Sequence, residues 1–95
     1  MISIWKYELD VRDSQTLLLP LDAEILSVGL QRGVICLWAK VDTEVEGREI
    51  HEFRIVGTGH PVPRSEESKF LGTVIMDNVG LVFHVFEDSI TQNTP

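Results

Sequence analysis

The sequence predicts an all-β single domain, a small antiparallel sandwich or partly open barrel of about six or seven strands. Three observations lead there. The dominant apolar period is two, the apolar runs are short, and turn residues interrupt them at close intervals. Residues 1–88 read as the domain, and 89–95 (SITQNTP) as a disordered tail without a strand signal.

Trp5, Tyr7, Leu9 and Val11 alternate with Lys6, Glu8, Asp10 and Arg12, so the first strand has one buried face and one wet face. Leu17 to Leu19 is a short run stopped by Pro20, which suits a sheet edge. If Arg32 and Gly33 form a two-residue turn, Leu30 faces Ile35, Val28 faces Leu37 and Leu26 faces Ala39, all on one face. A three-residue loop at Val45, Glu46 and left-handed Gly47 would then set Ala39 opposite Phe53 and Leu37 opposite Ile55. The same register puts Lys40 across from Glu52 and Trp38 across from Arg54 on the outer face. Arg64 to Lys69 reads as a polar loop or a single helical turn. The last hairpin pairs Phe70, Val74 and Met76 with Val85, Leu81 and Val79 around Asp77 and Asn78, and a four-residue turn through Gly80 keeps the same parity. Its second face, Leu71, Thr73, Ile75, Val82, His84 and Phe86, is also largely apolar, so it predicts cover on both sides, inside the sheet system or from a second subunit.

The 95 residues carry 43% hydrophobic and 24% charged side chains and a net charge of −7, a globular composition that disfavours nucleic-acid binding. No apolar run has bilayer-spanning length, and MISIWKYELD lacks a signal-peptide pattern, so a cytoplasmic protein without membrane partners is expected. Cys36 is the single cysteine, with no adjacent base to activate it. His51, His60 and His84 are far apart and show no ligand spacing, so no metal and no cofactor is expected. His84 reads as a hydrogen-bonded histidine of a core or subunit interface. Glu44, Glu46, Glu49, Glu52, Glu66 and Glu67 read mostly as solvating side chains.

The most distinctive stretch is HEFRIVGTGHPVP, residues 51–63, where an alternating strand runs into two glycines, a histidine and two prolines. Gly57 and Gly59 can turn the chain so that backbone N–H groups, the Thr58 hydroxyl and the His60 imidazole face one small volume. The lysine and following Ser/Thr of a phosphate-binding loop are missing, and a tight turn closed by glycines explains the residues as well. In the binding reading, Arg54 supplies fixed charge, Trp38 a stacking surface, Gly57, Thr58 and Gly59 donors, and His60 a pH-dependent donor. Arg54→Ala would then abolish binding and leave the fold intact. No nucleophile with a base beside it is visible, and no catalytic residue is assigned.

The blocks WKYELDV, CLWAKVDTE, FRIVGTGHP and LVFHVFE, in this order over nearly the whole chain, resemble an uncharacterised family of small phage-encoded proteins. The resemblance implies a phage origin and, by analogy with other small phage proteins, an anti-defence role in the infected host. The function expected is a non-enzymatic homo-oligomer that sequesters a small anionic or nucleotide-like ligand. The alternative is an inhibitor that binds a host protein through the apolar surface near His84 and Phe86, with an enzyme third.

Overall fold

A computed structural model of the chain describes residues 1–62 and 68–93. Seven strands follow in order: β1 (Ile2–Leu9), β2 (Ser14–Pro20), β3 (Glu24–Gln31), β4 (Val34–Asp42), β5 (Arg48–Gly57), β6 (Lys69–Met76) and β7 (Leu81–Asn93). They form two antiparallel sheets, β1-β4-β3 and β2-β5-β7-β6, and together an open sandwich. The reading of 64–69 as loop or helical turn lies largely outside the described residues; Ser68 precedes β6 and Lys69 begins it. No described helix is long and apolar enough to cross a membrane.

Local chemistry explains the tight turns. Arg32 and Gly33 both take positive φ, 54° and 78°, as the two-residue turn between β3 and β4 requires, and Leu30 faces Ile35 and Val28 faces Leu37 as expected. One residue further the match ends. A bulge at Leu26 sets Ile25 opposite Ala39 and leaves Leu26 exposed. The last hairpin takes the four-residue turn, with Gly80 left-handed and Met76 opposite Leu81. A second bulge separates Phe70, opposite Phe86, from Gly72, opposite Val85.

The largest departure concerns β4 and β5. They do not pair: β4 is the centre of one sheet, between β1 and β3, and β5 lies in the other, between β2 and β7. Ala39, Leu37, Phe53 and Ile55 are still all buried in one core, because they meet across the interior between sheets rather than along a ladder. Trp38 and Arg54 therefore do not meet. Trp38 sits between Lys6 and Ser27 on the outer face of its sheet, while Arg54 lies opposite Ser14 and Phe86. Lys40 pairs with Glu24, Nζ to Oε1 3.0 Å, and Glu52 stands opposite Thr16 and Ser89.

The tail reading is also corrected. β7 continues to Asn93, past residue 88, because residues 89–93 find ladder partners in Arg48 to Glu52. At the β1 end, Tyr7 and Leu9 face the core, whereas Val11 lies beyond the strand and is exposed.

The sandwich is closed on one side where β3 packs on β6. Gly72 makes that approach possible, since a Cβ placed there would lie 2.6 Å from Val28 Cγ2. Valine is stiff at χ1 and cannot swing away. Gly72→Val is expected to destabilise the fold by about 1 to 3 kcal/mol, read by urea denaturation, and Val28→Ala in the same chain to recover part of the loss.

Candidate functional site

A cleft of about 470 Å³ opens at one end of the sandwich, where the β1–β2 loop meets the end of β5 and the turn after it. The volume falls in the range of small-molecule sites. Val11, Val56, Pro61 and Phe83 contribute apolar wall, and Arg12, Arg54, His60 and Asp13 contribute charge or titratable groups. Arg54 is held in place: its Nε donates to Asp88 Oδ2 at 2.8 Å, and Ser68 Oγ donates to Asp88 Oδ1 at 3.0 Å. Asp88 is buried, and the arginine reaches the cleft from a fixed base. Arg12 is exposed and only loosely engaged, with Nη2 3.6 Å from Asp10 Oδ2.

The GTGH turn contributes less than its sequence suggests. Gly57 and His60 line the cleft, and Arg54 joins them. Thr58, Gly59 and Trp38 do not line it. The Thr58 amide donates to Val82 O at 3.1 Å and the His60 amide to Gly57 O at 3.0 Å, so these two backbone donors are spent inside the protein. Gly59 serves conformation, at φ 90°. Gly57 serves space, since a Cβ there would lie 3.2 Å from His60 Nδ1. The imidazole therefore lies folded over Gly57.

The Thr58 hydroxyl turns instead to His84. Thr58 Oγ1 is 2.7 Å from His84 Nε2, and Thr73 Oγ1 is 2.9 Å from His84 Nδ1. Each ring nitrogen thus has a threonine hydroxyl as its partner, a group able to donate or accept. This is a hydroxyl beside a base, which the sequence concealed because Thr58, Thr73 and His84 come from the turn after β5, from β6 and from β7. Both described partners of the imidazole are hydroxyls, and the group lies outside the cleft lining.

His51, by contrast, is fully buried on the inner face. Its Nδ1 is 2.8 Å from Glu87 Oε2 and its Nε2 is 3.0 Å from Glu49 Oε2, while Glu49 Oε1 accepts from the Asp22 amide at 3.0 Å. Glu49 is therefore a buried partner rather than a solvating side chain. Burial works against the charged imidazole, but the hydrogen bonds to Glu87 and Glu49 and their negative charge outweigh it, so the pKa lies above the usual 6.5. With a carboxylate on each side, both ring nitrogens donate. Its ring also stacks on Phe53, with centroids 6.2 Å apart. Parity alone hints at this pairing, since Glu49 and His51 share a face; Glu87 comes from β7 and has no local signal. Among the described residues no group of three or more His, Cys, Asp and Glu side chains is placed to hold a metal ion.

Because the folded pKa of His51 is raised, its stabilising contribution is full below about 6.5, the unfolded value, and is lost as pH rises through the folded pKa. Thermal denaturation across that window is expected to show the wild type losing stability relative to His51→Gln as pH rises. His51→Ala, which leaves two buried carboxylates without their cation, is expected to cost about 3 to 5 kcal/mol at neutral pH.

No curated protein and no solved structure matches the chain. The profile of one protein family spans residues 1–94, and the chain belongs to that family, described as a domain of unknown function (DUF7352).

Proposed function

We propose that the protein is a non-enzymatic binding protein that captures a small anionic, nucleotide-like ligand in the cleft beside the GTGH turn. The observation that carries this reading is the convergence of Arg12, Arg54 and His60 on one cleft in a chain of net charge −7. Two arginines and an imidazole present donors suited to phosphate or carboxylate oxygens. Arg54 loses little freedom on binding because Asp88 and Ser68 already orient it. Phe83 takes the place of Trp38 as the aromatic part of the lining. In the phage setting implied by the resemblance, such capture would withdraw a nucleotide signal from the host's defence.

A second reading has its own observation. Phe70 and Ile75 are 55% and 56% exposed on β6, and Phe70 contacts the half-buried Phe86 with ring centroids 5.4 Å apart. That apolar surface suits a host-protein partner.

Calorimetry against inorganic phosphate and a panel of linear and cyclic nucleotides separates the two. Heat of binding is expected with at least one nucleotide, and Arg12→Ala is expected to weaken it about tenfold or more without changing the unfolding temperature. Arg54→Ala is expected to weaken both binding and folding, since it strands the buried Asp88, which corrects the simple outcome anticipated from the sequence. No heat from any member of the panel overturns the proposal.

A further inference from the structure

An open sandwich leaves four edge strands: β1 and β3 in one sheet, β2 and β6 in the other. Three of them are protected in recognisable ways. β3 and β6 each carry a bulge and pack on one another. β2 ends at Pro20, and its Gln15 side chain bonds both the amide and the carbonyl of Asp10. β1 has none of these devices. It runs eight residues in unbroken register with β4, without proline, glycine or bulge, and leaves Ile2 63%, Ile4 59% and Trp5 40% exposed.

The backbone of β1 shows which groups are free. Thr43 N donates to Met1 O at 2.8 Å, so the odd-numbered residues of the strand turn their amides and carbonyls toward β4. By alternation Ile2, Ile4, Lys6 and Glu8 direct theirs to the open side, where no other described strand pairs with them.

We infer that β1 is the contact between two copies of this chain, which pair antiparallel about a two-fold axis at Trp5 and extend one sheet across both. In that register Ile4 of one copy faces Lys6 of the other and Ile2 faces Glu8, so no like charges stand directly opposite. The two Trp5 side chains meet on the inner face. The outward amides and carbonyls close about eight backbone hydrogen bonds. Charge also permits this contact: each copy carries −7 overall and repels its twin, yet residues 2–9 hold one lysine and one glutamate and are neutral. The contact is independent of the cleft and its ligand.

Sedimentation of the full chain in the micromolar range tests it. A species of twice the 10.7 kDa chain mass is expected. Ile4→Pro removes an amide that the fold itself does not use, and Ile4→Lys sets a like charge opposite Lys6 of the other copy; both are expected to give monomers with the β circular-dichroism signal retained. Trp5→Cys in a Cys36→Ala background is expected to oxidise to a disulfide-linked dimer, because residues opposite each other in a non-hydrogen-bonded pair have Cα atoms about 4.5 Å apart. A monomeric wild type, or a dimer that survives both Ile4 variants, overturns the inference. Failure of the Trp5→Cys chain to cross-link overturns the register centred on Trp5.

Discussion

The closure of two apolar sheet faces on each other is the constraint from which the rest of this protein follows. Leu9, Leu37 and Ala39 on one side and Leu19, Phe53, Ile55 and Val85 on the other are buried in a single core, and neither sheet could leave that face in water. A chain of 95 residues has little surface to spare, so nearly every inward position is used. The chain crosses between sheets after β1, β2 and β4. One of those crossings, the β1–β2 loop, helps build the cleft, so the same connectivity that closes the core positions Arg12 beside Arg54 and His60.

Polar groups enter this interior only as a satisfied set. Glu87 and Asp88 are adjacent in sequence, yet each serves a different site: Glu87 turns inward to His51 and Asp88 holds Arg54. The β7 bulge accounts for the arrangement, since Phe53 faces Glu87 and Glu52 faces Ser89, leaving Asp88 as the extra residue. A bulge that re-aims a side chain beside a cleft is a familiar use of that device. No buried side-chain nitrogen or oxygen among the described residues lacks a hydrogen-bond partner, so His51 and the acids around it desolvate as pairs.

Much of the fold was legible in the sequence because side-chain parity is a strong local signal. The Arg32-Gly33 turn, the edge position of β2 and the inward set Leu37, Ala39, Phe53 and Ile55 were all visible in it. Parity does not distinguish neighbours along a ladder from neighbours across a core, which is why Trp38 and Arg54 seemed to face each other. Bulges at Leu26, Leu71 and Asp88 shift register without leaving a compositional mark. Residues 89–93 form a strand through their backbone partners on β5, a property that side-chain pattern does not carry. At the candidate site, Arg54, Gly57 and His60 were found, and Arg12 was read only as the wet face of the first strand. Its role depends on where the β1–β2 loop comes to rest, which is a tertiary matter.

The proposed function rests on anion binding at the cleft between the β1–β2 loop and the GTGH turn. Its most direct test is a nuclear magnetic resonance titration of the full chain with nucleotide, following backbone amides and arginine side chains together. Saturable shifts are expected at Arg12, Asp13, Arg54, Gly57 and His60, with Phe70 and Ile75 unmoved. Shifts confined to the Phe70 and Phe86 surface, or none at the cleft at saturating nucleotide, would contradict it.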